Sequence, residues 1–235
     1  MAEDWQLPRT GTLQDPLRLA IFISGSGSGM EALIRYQQSR DCLHTTNVVI
    51  SDKPGIAGLG KAESLGITAV VVPLPESNDG TERRLIHEQE VNEVLADYGV
   101  EAIILSGYMR ILTPSFVKPW AGRILNIHPS LLPDFPGAHA HRDVIAAKAT
   151  KSGCTVHLVR SGVDEGPIIG QLSTDICSDD NEKSLAEKVL RLEHILYPVC
   201  LKLFSEELID IKGNTIKYSK KAIVELDNIQ NYKVN

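Results

Sequence analysis

The sequence predicts an α/β fold with a doubly wound, mostly parallel sheet, and three observations carry that reading. Short runs of strand formers alternate with longer amphipathic stretches from residue 17 onward, the pattern of βαβ units. A glycine-rich break, Ser24 to Gly29, stands between the first apolar run and the first amphipathic stretch. The 235 residues are 43% hydrophobic and 23% charged, enough for one continuous core.

Taken in order, Leu17 to Ile23 reads as a strand and Met30 to Arg40 as a helix with Leu33, Ile34 and Gln37 at helical spacing. Asn47 to Ser51 is a second strand, closed by the turn Asp52-Lys53-Pro54-Gly55. Ile56 to Leu65 is a helix stopped at Gly66, and Ile67 to Val72 a third strand. After a loop over Pro73 to Gly80, Thr81 to Tyr98 reads as a helix with Thr81 as its cap. Ala102 to Ser106 and Arg123 to Ile127 are strands around a helical excursion over Met109 to Trp120. Thr155 to Val159 and Pro167 to Thr174 form a strand pair, and Ser184 to Phe204 is the longest helical pattern. Alternation over Asp210 to Val224 suggests a C-terminal hairpin. Met1 to Pro16 lacks an apolar core, so it reads as a flexible extension rather than a signal peptide.

Net charge is -6 and pI about 5.7, so no general field is available to hold nucleic acid. No apolar run is long enough to span a membrane. The cysteines Cys42, Cys154, Cys177 and Cys200 are widely spaced, which fits reduced thiols in a cytoplasmic protein and neither a disulfide framework nor a metal site. Oligomeric state is left open.

In such sheets ligands bind beyond the carboxyl ends of the strands. Ser24-Gly25-Ser26-Gly27-Ser28-Gly29 sits at one such end, where free helix amides suit a phosphate; a flexible turn is the plain alternative. A dinucleotide site is the rival, with Asp52 as its acidic residue. Met30 stands where that fingerprint wants a small residue, which weakens it.

The densest signal is Asn126-Ile127-His128-Pro129-Ser130-Leu131-Leu132-Pro133, continuing to His139. In a strand, residues two apart point the same way, so Asn126 and His128 can converge on one ligand atom. An amide donor beside a charged imidazole suits a developing oxyanion; a core histidine bonded to backbone is the plain alternative. A carboxylate would favour the charged ring, and Asp164 lies in a later loop bounded by Gly162 and Gly166. Sequence physics alone does not bring Asp164 to His128, and whether His139, His141 or His157 touch ligands stays open.

Together these motifs resemble the phosphoribosylglycinamide formyltransferases. The matching stretches are Ile23 to Ser28, Ser106-Gly107-Tyr108-Met109-Arg110-Ile111-Leu112, Asn126 through His139, Asp164-x-Gly166-Pro167-Ile168-Ile169 and Glu193-His194-x-x-Tyr197-Pro198, across about residues 17 to 225. The resemblance implies a Rossmann-like formyltransferase domain over 17–235. It implies transfer of a formyl group from 10-formyltetrahydrofolate to the amine of glycinamide ribonucleotide in purine biosynthesis, without a metal. Catalytic roles then fall to Asn126, His128 and Asp164. Phosphate and ribose contacts fall to Gly27, Ser28, Gly29 and to Leu190, Arg191, Leu192 and Glu193. Folate contacts fall to Met109, Arg110, Ile111 and Leu112, to Arg160, Ser161, Gly162 and Val163, and to Arg83 in preference to Arg84. Gly29 departs from the asparagine common in the family, and Met30 from its leucine. A formyltetrahydrofolate deformylase, a nicotinamide-dependent oxidoreductase and a non-catalytic binding protein are the competing functions.

Overall fold

The structure, a computed structural model, describes residues 5–230. Its internal contacts divide the chain into two compact units, Gln6–Leu125 and Asn126 onward together with Trp5. The sequence expects one domain over 17–235, and the boundary between the units falls inside a strand.

The first unit is built on β1 (Leu17–Ile23), with α1 (Ser28–Gln38), β2 (His44–Ser51), α2 (Ala57–Ser64), β3 (Ala69–Val71), α3 (Gly80–Asp97), β4 (Ala102–Leu105) and α4 (Pro114–Val117) following. β1 pairs in parallel with β2 and β4, and β2 with β3. Chain order reverses direction at β1, so a switch point lies between β1 and β4, where α/β sheets bind ligands. Leu19 to Ile23, Val48 to Ile50 and Ala102 to Ile104 have no exposed surface, because both faces of a parallel sheet are covered.

Three local readings change. α1 begins at Ser28, inside the glycine loop, capped by Gly27 at φ 67. Asp79, not Thr81, caps α3, accepting from the Thr81 and Glu82 amides. Met109 to Leu112 is not helical; Thr113 and Pro114 start the helix instead, Thr113 accepting from the Phe116 amide.

Between Gln6 and Pro16 the chain makes specific contacts with the first unit. Arg9 forks onto Glu101, with Nε to Oε1 at 2.6 Å and Nη2 to Oε2 at 2.9 Å, and the Gln6 amide donates to Ala121 O. Residues 1–4 lie outside the described residues.

His44 is buried at the start of β2, its Nδ1 2.9 Å from Gln37 Nε2. Burial pushes its pKa down to about 4. The unfolded chain therefore takes up a proton near pH 6.5 that the fold refuses until about pH 4, so stability is full above pH 6.5 and falls through that window. His44→Gln is expected to lose about 2 kcal/mol less than the parent between pH 7.5 and pH 5, read by urea unfolding at the two pH values. Equal losses would show that His44 is not the group responsible.

The second unit continues β5 (Ile124–His128) and adds α5 (Ala140–Ala146), β6 (Lys151–Leu158), β7 (Ile168–Asp175), α6 (Glu182–Ser205), β8 (Ile209–Lys212), β9 (Thr215–Tyr218) and α7 (Lys220–Gln230). β6 and β7 are antiparallel, in register from Lys151↔Asp175, and α6 packs along both. Across the sheet the seven strands run β3-β2-β1-β4-β5-β6-β7. The C-terminal hairpin is present but shorter than expected: it ends at Tyr218, and α7 occupies the remainder. α6 starts at a capping box, Asn181 accepting from the Ser184 amide and the Ser184 hydroxyl accepting from the Asn181 amide. No helix among the described residues is long and apolar enough to cross a membrane.

Candidate active site

β5 delivers Asn126 and His128 from one face at its carboxyl end, as strand periodicity requires. The loop after β6 delivers Asp164, which sits in the left-handed region at φ 55. That conformation is costly for a residue with a side chain, though least so for aspartate and asparagine, and it persists only where contacts fix it. Four donors do so. The Gly137 amide reaches Asp164 Oδ2 at 2.9 Å and His128 Nδ1 stands 3.3 Å from the same oxygen. Asn126 Nδ2 lies 3.4 Å, and His157 Nε2 3.6 Å, from Oδ1. Burial works to raise the Asp164 pKa, yet His157, the Gly137 amide and the His128 ring together hold the carboxyl below its ordinary range.

The two rings have different surroundings. His128 Nε2 is 2.9 Å from the Phe135 carbonyl, while its Nδ1 faces Asp164, so both nitrogens meet acceptors. Only the charged ring has two N–H groups to offer them. His157 Nδ1 donates to its neighbour, the Leu158 carbonyl, at 2.9 Å and leaves Nε2 between Asn126 Nδ2, at 3.1 Å, and Asp164. A neutral His157 accepts from the Asn126 amide there; a charged one donates to Asp164. The cluster thus pairs a carboxylate with an imidazole and an amide on a strand end, with side-chain exposures of 12% for Asp164 and 6% for His128.

His157 is the residue that sequence reasoning left undecided. The available signal was its spacing from Thr155, two along β6 and so on the same face. Thr155 is fully buried, and its Oγ1 donates to Ser130 O at 2.7 Å while accepting from the Leu132 amide at 3.0 Å. Gln171 Nε2 donates to Leu132 O at 2.8 Å. These bonds fix the proline-rich segment that carries the Phe135 carbonyl to His128. His139 caps α5 and His141 lies in its first turn; neither hydrogen-bonds to Asp164 among the described residues. Burial lowers the His141 pKa, against a smaller opposite effect of Glu182.

In the first unit, Gly27 needs to be glycine twice over: its φ is 67, and a Cβ there would lie 2.8 Å from Gly58 Cα. A Cβ at Gly29 would meet the Ser106 hydroxyl at 2.5 Å, so that hydroxyl takes up space where the family's asparagine stem would start. Asp52 does not stand open to a ribose. It is buried, accepts from Ser24 Oγ at 2.6 Å and faces Arg110 Nε at 3.8 Å, which removes the acidic residue the dinucleotide reading needs. Ser24 Oγ in turn accepts from the Met109 amide at 2.9 Å, tying the glycine loop to the segment after β4. On that segment Met109 and Ile111 are 66% and 63% exposed, while Leu112 is buried. Arg83 is half-buried and Arg84 exposed, its Nε donating to Gly80 O at 3.2 Å.

In the second unit, Arg160, Gly162 and Asp164 are half-buried, and Ser161 and Val163 exposed. On α6, Arg191 faces solvent, Leu190 and Glu193 are half-buried and Leu192 is buried. A buried mid-helix leucine has little to offer a ligand directly. Burial raises the Glu193 pKa to about 7.

The formyl transferase family model matches residues 17–201. The chain belongs to the formyl transferase family. Phosphoribosylglycinamide formyltransferase of Escherichia coli (strain K12) is 34% identical over 200 residues, covering 84% of this chain and 92% of that protein. The trifunctional purine biosynthetic protein adenosine-3 of Gallus gallus is 40% identical over 195 residues, 83% of this chain; the chain spans only 19% of that relative's length. Among solved structures, glycinamide ribonucleotide transformylase 1 from Symbiobacterium toebii superposes with a TM-score of 0.82 at 35% identity, covering 87% of this chain and 95% of that one. These formyl transferase likenesses bear out the fold class and family expected from the motifs.

Proposed function

We propose that this chain transfers the formyl group of 10-formyltetrahydrofolate to the amine of glycinamide ribonucleotide, as a cytoplasmic enzyme of purine biosynthesis. The observation that carries the reading is the cluster in which Asp164 gathers His128 and Asn126 at the end of β5. The unprotonated amine attacks the formyl carbon, and negative charge develops on the formyl oxygen. Asn126 Nδ2 and His128 are the donors for that charge. Their weakest present commitment is the Asn126–Asp164 contact at 3.4 Å, which is the first to yield to an oxyanion. The new N–C bond forms as the bond from carbon to the folate N10 breaks. The proton leaving the amine passes to N10, with Asp164 as the group that relays it, directly or through a held water.

In this reading the phosphate sits on the amides of Gly27, Ser28 and Gly29, the ribose on the Leu190–Glu193 turn. The folate lies against Met109 to Leu112 and Arg160 to Val163, with Arg83 in support. The exposed Met109 and Ile111 supply the apolar face such a ring system requires. No metal enters the reaction.

Loss of 10-formyltetrahydrofolate, followed by absorbance, is expected to require glycinamide ribonucleotide. A deformylase would consume the folate at the same rate without the amine, and that result would replace this reading.

A further inference from the structure

The loop that carries Asp164 is anchored at its other end by a residue outside the family match. Trp5 donates from its indole Nε1 to Gly213 O at 2.7 Å, in the turn of the β8–β9 hairpin. Arg160 Nη2 donates to the same carbonyl at 3.3 Å, and its guanidinium lies 4.9 Å from the centre of the Trp5 ring. The hairpin itself is fixed beside the loop's far end, Tyr218 Oη donating to Ile169 O at 3.1 Å. Three pieces of chain therefore meet at one carbonyl: the N-terminal segment, the start of the loop after β6, and the hairpin tip. Trp5 and Gly213 both lie outside residues 17–201.

We propose that Trp5 is a positioning residue for the folate: it holds the Arg160 guanidinium, and with it the Arg160–Val163 stretch, in the conformation that receives the co-substrate. Ser161 and Val163 are exposed, and a Cβ at Gly162 would run into the Glu165 carboxylate. The indole stack and the shared carbonyl order the guanidinium before the co-substrate arrives, which lowers the ordering cost of binding. The hub at Asp164 is fixed independently by Gly137, His128, Asn126 and His157. Loss of Trp5 therefore acts on folate capture and leaves the reacting groups in place. The proposal rests on the reading that Arg160 to Val163 contact the folate.

The test is steady-state kinetics on the full chain with each substrate varied separately, for Trp5→Ala, Trp5→Phe, Arg160→Ala and the Trp5→Ala/Arg160→Ala double variant, each checked by thermal melting. Trp5→Ala is expected to raise the KM for 10-formyltetrahydrofolate about tenfold, the size of one stack and one hydrogen bond together. Its kcat and its KM for glycinamide ribonucleotide stay within about twofold of the parent. Trp5→Phe keeps the ring face but not the N–H, and recovers part of the loss. The double variant is no worse than Arg160→Ala alone, because both substitutions remove the same contact. If Arg160→Ala raises the folate KM and neither Trp5 variant does, the tether is refuted and the folate reading of the loop stands. If Arg160→Ala leaves that KM unchanged, the folate reading of the loop fails first. A Trp5→Ala chain in which kcat and both KM values worsen along with the melting temperature refutes a positioning role.

Discussion

Replacing His128 by alanine is expected to lower kcat by a factor of about 10²–10³, the usual cost of losing one donor to an oxyanion. The size follows from where the ring sits. His128 is buried at a strand end, with the Phe135 carbonyl on one nitrogen and the Asp164 carboxylate on the other. A donor beside the reacting carbonyl is worth most while charge is developing, so kcat falls and the folate KM changes little. Stability falls by about 1–3 kcal/mol, because Asp164 Oδ2 keeps the Gly137 amide but loses the ring. Asn126→Ala is expected to fall in the same range, since the amide offers the second donor. The double variant should be far less harmful than the product of the two, because both donors serve one oxygen. Single-turnover rates with both substrates saturating give the comparison, and either single variant working at near-parent speed removes that residue from the reaction.

How much of this was legible in the sequence depends on the range over which each signal acts. The apolar run Leu17 to Ile23 and the Asn126–His128 spacing are local, and the structure holds both where the residue pattern put them; the glycine break is shorter than expected, because α1 already starts at Ser28. The convergence of Asp164 on His128 is not local. Thirty-five residues, with one helix and one strand among them, intervene, and only family resemblance brought the two together beforehand. His157 stayed undecided because a single histidine on a buried strand looks like core until its neighbours are known. Ala140 to Ala146 went unread because a two-turn helix after a proline-rich segment leaves almost no periodicity. The stretch after Tyr218 was misread because Ala222 and Val224 alternate within a window that stops at Val224, whereas the helical spacing shows only with Leu226 beyond it. Met109 and Ile111 fell inside the helix expected over Met109 to Trp120, whereas Thr113 and Pro114 carry the start signal.

Gly166→Ala is expected to disable the enzyme without touching any group that reacts. A Cβ at this position would lie 1.5 Å from Leu158 O and 2.6 Å from Leu158 C, where side-chain carbons essentially never come within 3.0 Å. Neither neighbour can give way cheaply. Leu158 O is the acceptor for His157 Nδ1, and the Leu158 amide donates to Pro167 O at 3.0 Å, so backbone holds the junction on both sides. The methyl group must therefore part β6 from β7 at the point where the Asp164 loop leaves and returns. His157 loses its fixed tautomer, and Asp164, two residues away and already in the left-handed region, loses the frame that keeps it there. Displacements of about 1 Å in a reacting constellation cost on the order of 10² in rate, and overpacking of this kind costs about 1–3 kcal/mol in stability. Gly60→Ala is the matched control: nothing lies within 4 Å of its would-be Cβ on α2, and it should raise stability by about 0.4–1 kcal/mol with kcat unchanged. Melting curves and kcat for the two variants separate a local steric block from a general intolerance of added methyl groups. A Gly166→Ala protein that melts and turns over like the parent would mean that the loop can close on Asp164 in some other way, and that its geometry is not what holds the carboxylate against His128.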